Sequence, residues 1–163
     1  MMTDMENFVQ LKKDSILRIG IKDDKGNDTG EHLEFDLEDI ELPLKLNECE
    51  AKHRRNLENL RNQFLIIDKK EDKKGKFILS WKEEEKLKVL KEFYKREMEA
   101  LDLFLGENGT KKLLNGRNPY YSMYEDINEM LEPIMPKLKL RADEIGQKIK
   151  DKYSNNKEKD VLE

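Results

Sequence analysis

Ser80–Leu105 reads SWKEEEKLKVLKEFYKREMEALDLFL. Its apolar residues Leu87, Leu90, Tyr94, Met98, Leu101 and Leu105 recur every three or four positions, and Phe93 and Phe104 widen the stripe. That period places them on one face of an α-helix. Ser80 followed by Glu83 is a capping box, in which each side chain bonds an otherwise unpaired backbone amide of the first turn. Glu83, Glu84 and Glu85 put negative charge where the helix dipole favours it. Phe77, Ile78, Leu79 and Trp81 flank this start and are expected to anchor it.

Upstream, Leu46, His53, Leu57, Leu60, Phe64 and Ile67 follow spacings of seven, four, three, four and three, a second helical stripe. Asp39-Ile40-Glu41-Leu42-Pro43 reads as its connector. His53 lies on the stripe beside Lys52, Arg54 and Arg55. It reads as a helix-packing histidine; the sharper alternative is a pH switch or an anion contact. Asp68-Lys69-Lys70-Glu71-Asp72-Lys73-Lys74-Gly75-Lys76 holds no apolar residue and predicts a helix end and a mobile loop. The two helices then form an antiparallel hairpin.

Further upstream, Leu17, Ile19 and Ile21 alternate with polar residues or Gly20, and Leu33, Phe35 and Leu37 with Glu34 and Asp36. Period 2 on both sides of the turn-rich Asp23–Gly30 predicts a β-hairpin with one buried face. Such a hairpin is marginal alone, so a helix of this chain or a neighbouring subunit must cover it. The turn has Asp23, Asn27 and Glu34 at calcium-loop positions. Lys25, however, replaces an oxygen ligand and Asp28 the required glycine, so a plain turn is expected.

Downstream, Gly106-Glu107-Asn108-Gly109 stops the long helix, and Thr110–Gly116 reads as a short one. Ser122 with Glu125 repeats the capping-box pattern ahead of Tyr124, Ile127, Met130, Leu131 and Ile134. Pro133 and Pro136 must end or kink that helix. Leu138, Ala142, Ile145 and Ile149 predict a last, mostly polar helix, and Ser154–Glu163 a frayed end.

The composition limits what such a chain does. Of 163 residues, 42% are charged and 36% hydrophobic, with a net charge of −4. Thin cores on amphipathic helices fit this better than a large globular core. Charge is segregated: Asp23–Glu50 carries a net −9 and Ala51–Lys76 a net +5. That asymmetry could direct one copy against another or against a charged partner; two solvated faces are the plainer reading. The single Cys49 forms no internal disulfide, and His32 and His53 share no metal-ligand spacing. No apolar run approaches a membrane span, and the acidic N-terminus lacks a signal-peptide core, so a reducing cytoplasm is expected. Gly106–Lys112 lacks the order of a phosphate loop, no nucleophile elbow is present, and no carboxylate pair stands out. An enzyme reading has no residues to rest on, and no cofactor or metal is expected.

The segment Glu99–Pro119, EALDLFLGENGTKKLLNGRNP, resembles a known pattern. A helix ending in Phe104-Leu105-Gly106, then Glu107-Asn108-Gly109, a short Lys112-Leu113-Leu114 helix and Gly116-Arg117-Asn118-Pro119 is similar to small tail-assembly chaperones of long-tailed phages and prophage tail particles. With the strand pair and two helices upstream, the resemblance spans roughly Ser15 to Lys137. The two prolines and the long charged C-terminal helix depart from it. It implies a non-enzymatic protein of the bacterial cytoplasm that coats the aggregation-prone tape-measure protein, contacts tail tube subunits, self-associates and leaves before the particle is finished. In some of these systems a ribosomal frameshift makes a longer form.

The expected fold is therefore α+β and mostly helical, an N-terminal β-hairpin followed by about four helices. Residues 1–14 form a flexible N-terminus, 15–137 the hairpin and helical domain, and 138–163 the charged C-terminal helix and tail. Phe64, Ile67, Trp81, Phe93 and Phe104 are candidate partner contacts by their risk of exposure. Met98, Met123, Met130 and Met135 suit adaptable contacts or, more simply, the chain's own core. Two other functions are carried: a structural component retained in a phage tail or other helical assembly, and a small nucleic-acid-associated regulator using Lys52, Arg54, Arg55 and the Lys69–Lys76 loop. No interleaved aromatic supports the latter.

Overall fold

The computed structural model describes residues 7–11 and 15–162. The expected flexible N-terminus thus lies partly outside the described residues, as does Glu163. Two antiparallel strands, β1 (Ile16–Lys22) and β2 (Asp28–Asp36), are followed by α1 (Glu41–Asp68), α2 (Trp81–Leu105), α3 (Gly109–Leu114), α4 (Met123–Leu131) and α5 (Met135–Leu162). The fold is α+β and mostly helical, with five helices among the described residues.

The hairpin pairs Leu17 with Phe35 and Ile19 with Leu33, so the alternating apolar residues share one face. Asp23 makes the turn: its Oδ1 accepts from the amides of Lys25 at 2.9 Å and Asn27 at 2.8 Å. The cover comes from the same chain. Phe104 at the end of α2 stacks on Phe35 with ring centroids 5.1 Å apart. Burying each of these rings contributes about 2–3 kcal/mol relative to leaving it in water. Ile21, Leu33, Leu42, Cys49, Leu101, Leu105, Met123, Ile127, Leu131, Ile134 and Leu138 complete the core, with Met98, Met130 and Met135 packed half-buried against it. The methionines fill the chain's own interior.

Helix α1 begins earlier than the stripe suggested. Pro43 lies in its first turn, where a backbone amide has no helical partner to lose. The Ser80–Glu83 capping box forms as expected, with both reciprocal bonds present. The one expected at Ser122 does not: Ser122 makes no cap bond, and its hydroxyl turns to Asp126, which also accepts from the Tyr120 hydroxyl at 2.8 Å. Pro133 falls in the break between α4 and α5, and Pro136 in the first turn of α5. Backbone expected to fray from Ser154 is helical to Leu162. Arg141 of α5 pairs with Glu38 and, at 2.9 Å, with Glu144, tying the last helix to the β2–α1 link.

Candidate partner-binding arm

Helices α1 and α2 lie side by side, and their lower ends enter the core through Cys49 and Leu101. The contiguous buried cluster takes no residue between those two, and between them Ala100, Ile67, His53 and Glu97 are buried outside it, so the rest of the hairpin is an arm held by its own seam. Where the arm leaves the core, the seam is polar. Glu97 of α2 is only 1% exposed. Its Oε2 lies 2.5 Å from His53 Nδ1, and its Oε1 accepts from Asn56 Nδ2 at 2.9 Å. The His53 ring stacks on Tyr124 of α4, centroids 3.4 Å apart and planes 4° apart. Tyr124 donates its hydroxyl to Glu50 at 2.6 Å. This node joins three helices, and no buried side-chain polar atom among the described residues lacks a partner.

The node sets local acidity. Hydrogen bonding from Tyr124 holds the Glu50 carboxyl below the usual carboxylate range. Desolvation, and then the Glu50 bond, push the Tyr124 phenol well up. Burial, reinforced by the charges of Glu97 and Glu50, pushes the Cys49 thiol from 9.0 up to about 11. A thiol so raised is a poor nucleophile. His53 is a packing histidine with a buried carboxylate partner.

Above the node, one side of the seam opens into a groove of about 270 Å³. Asn56, Asn59, Leu60 and Gln63 line it from α1, and Lys88, Val89, Glu92, Phe93 and Arg96 from α2. Leu57 and Leu87, both on the stripes, are left exposed. The groove is apolar between polar borders, the form that receives one face of an amphipathic helix.

The five candidate contacts separate. Phe93 lines the groove. Phe64 and Trp81 are half-buried, Phe64 under Lys86 Nζ at 5.6 Å and Trp81 beside Lys70 and Lys73 at 5.7 and 5.9 Å. Ile67 is buried at the arm's tip, and Phe104 is buried in the core. The exposure expected of those two is corrected: Ile67 is buried on α1, and Phe35 of the β-hairpin stacks on Phe104.

The loop joining α1 to α2 is tied down. Asp72 Oδ1 accepts from the Lys82 amide at 2.9 Å, and Lys73 carbonyl from the Trp81 amide at 2.9 Å. Gly75 is required there, since a Cβ would sit 1.6 Å from the Leu79 carbonyl oxygen. Phe77 and Ile78, expected to anchor the start of α2, are instead 92% and 77% exposed. Leu65 and Ile66, near the end of α1, are exposed as well. All four lie near the junction of the two helices, and their off-stripe positions were the available signal. Of the bases beside His53, Lys52 faces Glu48 at 3.6 Å and Arg54 faces Glu50 at 3.1 Å.

The segment carrying the resemblance is a corner. Asp102 Oδ1 accepts from the Thr110 amide at 2.9 Å and its hydroxyl at 2.8 Å. Gly106 has φ 93°, and Asn108 and Asn115 have φ 58° and 48°, the left-handed region. A Cβ on Gly109 would lie 2.5 Å from Leu105 Cβ. Among the described residues no cluster of His, Cys, Asp or Glu could hold a metal ion, and no helix is long and apolar enough to cross a membrane. Comparison with protein-family models, with curated proteins and with solved structures gives no match.

Proposed function

We propose that this chain is a tail-assembly chaperone of a long-tailed phage or prophage tail particle. It acts in the bacterial cytoplasm by reversible, non-enzymatic binding of the tape-measure protein and of tube subunits. The observation that carries the reading is the open seam of the arm: Leu60, Val89 and Phe93 line a groove bordered by polar side chains. A long helical client exposes apolar stripes before its tube assembles, and a groove of this kind covers one such stripe at a time. The order of hairpin, two long helices and a Gly106–Gly116 corner agrees with the resemblance drawn from Glu99–Pro119.

Co-expression with a tape-measure protein tests it. The client is expected to stay soluble and to co-purify, and Leu60→Glu with Val89→Glu is expected to abolish capture while the circular dichroism spectrum is kept. A client no more soluble with the chain than without it would refute the reading. Copies retained in purified mature tails would favour the structural-component alternative instead.

A further inference from the structure

Where the start of α4 meets the α1–α2 seam, the three enclose a cavity of about 130 Å³. It is distinct from the client groove, with which it shares only Leu60 and Phe93. Its rings are Phe93 and Tyr94 of α2, Tyr121 and Tyr124 at the start of α4, and His53 of α1. Phe93 and Tyr94 meet edge to face with centroids 5.5 Å apart. Leu57, Leu60 and Leu90 add an apolar wall. Tyr120 is held by Arg117 and Asp126, and Tyr124 by Glu50 and His53. Tyr121 is 90% exposed, so packing of the core does not account for its ring.

The charge around this cavity has one sign. No Lys or Arg lines it, whereas Glu97 and Glu125 do. Both Glu97 oxygens are engaged, by His53 and Asn56, and at neutral pH the His53–Glu97 pair brings no net positive charge. Glu125 stands exposed in the first turn of α4. Burial, and then the neighbouring Tyr121 and Glu125, push the Tyr94 phenol up, which places these three groups together. On three other rings the chain lays its own cations: Lys86 on Phe64, Lys70 and Lys73 on Trp81, and Arg117 on Tyr120 at 4.1 Å. Among the described residues no such cation stands over Phe93, Tyr94, Tyr121 or Tyr124. Ring faces attract a cation within about 6 Å of their centroids, most strongly where water is excluded.

We propose that this cavity is an aromatic cage that binds an alkylammonium group. The apolar stem lies along Leu57, Leu60 and Leu90, and the charged head sits among Tyr94, Tyr121 and Tyr124 beside Glu125. The volume suits a short chain of this kind, being close to the roughly 150 Å³ of a cavity that takes benzene. A neutral alcohol of equal length satisfies the wall but leaves Glu125 and the ring faces without a partner. An anion meets Glu125 with no lining cation to offset it. The chemistry belongs equally to a free amine and to a lysine side chain of another protein. Because Tyr94, Tyr121 and Glu125 lie outside the client groove, the site does not rest on the chaperone reading.

Titration of the full chain with n-butylammonium chloride tests it, followed by the amide and aromatic NMR resonances against sodium chloride at equal ionic strength. Saturable shifts are expected at Phe93, Tyr94, Tyr121 and Tyr124. The neutral 1-butanol is expected to bind about tenfold more weakly. Tyr121→Ala and Glu125→Gln change exposed positions, are expected to keep the folded spectrum, and should each weaken binding about fivefold. A second arm uses a short capped peptide with one lysine and its norleucine counterpart. Lysine peptide bound more tightly than n-butylammonium assigns the site to a protein side chain, and the reverse assigns it to a free amine. Absence of saturable shifts, equal binding of 1-butanol, or unchanged affinity in both variants would overturn the proposal.

Discussion

Glu97 is a carboxylate on an apolar stripe. Leu90, Tyr94, Glu97 and Leu101 follow spacings of four, three and four, so the sequence did mark the position as inward-facing. Its partner was not legible, because His53 lies 44 residues away and nothing local pairs them. Removing the carboxylate strands a hydrogen-bonding group on buried His53 and another on half-buried Asn56. Glu97→Ala is expected to cost about 3 kcal/mol in urea unfolding and Glu97→Gln about 1 kcal/mol, because the amide keeps an acceptor. Equal losses would mean that the node contributes only volume. Cys49 gives a pH prediction. Its folded value lies above its unfolded one, so its contribution is full below pH 9.0 and is lost as pH rises through about 11. Cys49→Ala should flatten the alkaline fall of the melting temperature in that window. The native thiol should react with a disulfide reagent far more slowly than the unfolded one.

At the scale of elements, two serines with the same local pattern do different things. Ser80 caps α2 and Ser122 does not cap α4. Ser80→Ala is expected to cost about 1 kcal/mol, and Ser122→Ala less than about 0.5 kcal/mol. Thermal melts of both variants check this, and equal costs would contradict the geometry. The pattern alone could not separate them, because Asp126 competes for the Ser122 hydroxyl one turn on. Strands, long helices and the proline break were readable because period, cap and missing donor are local properties. The start of α1 is hidden in the sequence because a proline in a first turn looks like a linker. Phe104 and Ile67 read as exposure risks because stripe position does not say which stripe residues distant parts of the chain will cover.

The whole molecule divides into a compact core and an arm without its own deep interior. Amides of the arm between Leu60 and Val89 are therefore expected to exchange hydrogen through openings that leave the core intact, with protection below that of Leu101–Leu105. Native-state exchange followed by mass spectrometry checks this, and uniform protection would show a single cooperative unit. The corner at Asp102–Gly116 has the opposite character. Left-handed Asn108 and Asn115, the crowded Gly109 and the Asp102–Thr110 bonds leave it few alternative residues. In a saturation library it should stand out as a run of intolerant positions, while the groove and tip accept wide change at little cost in folding. Two chains that share this corner thus share an inherited bend and nothing more. Their choice of client is free to diverge along the arm, where an altered side chain changes what is held without disturbing how the chain turns.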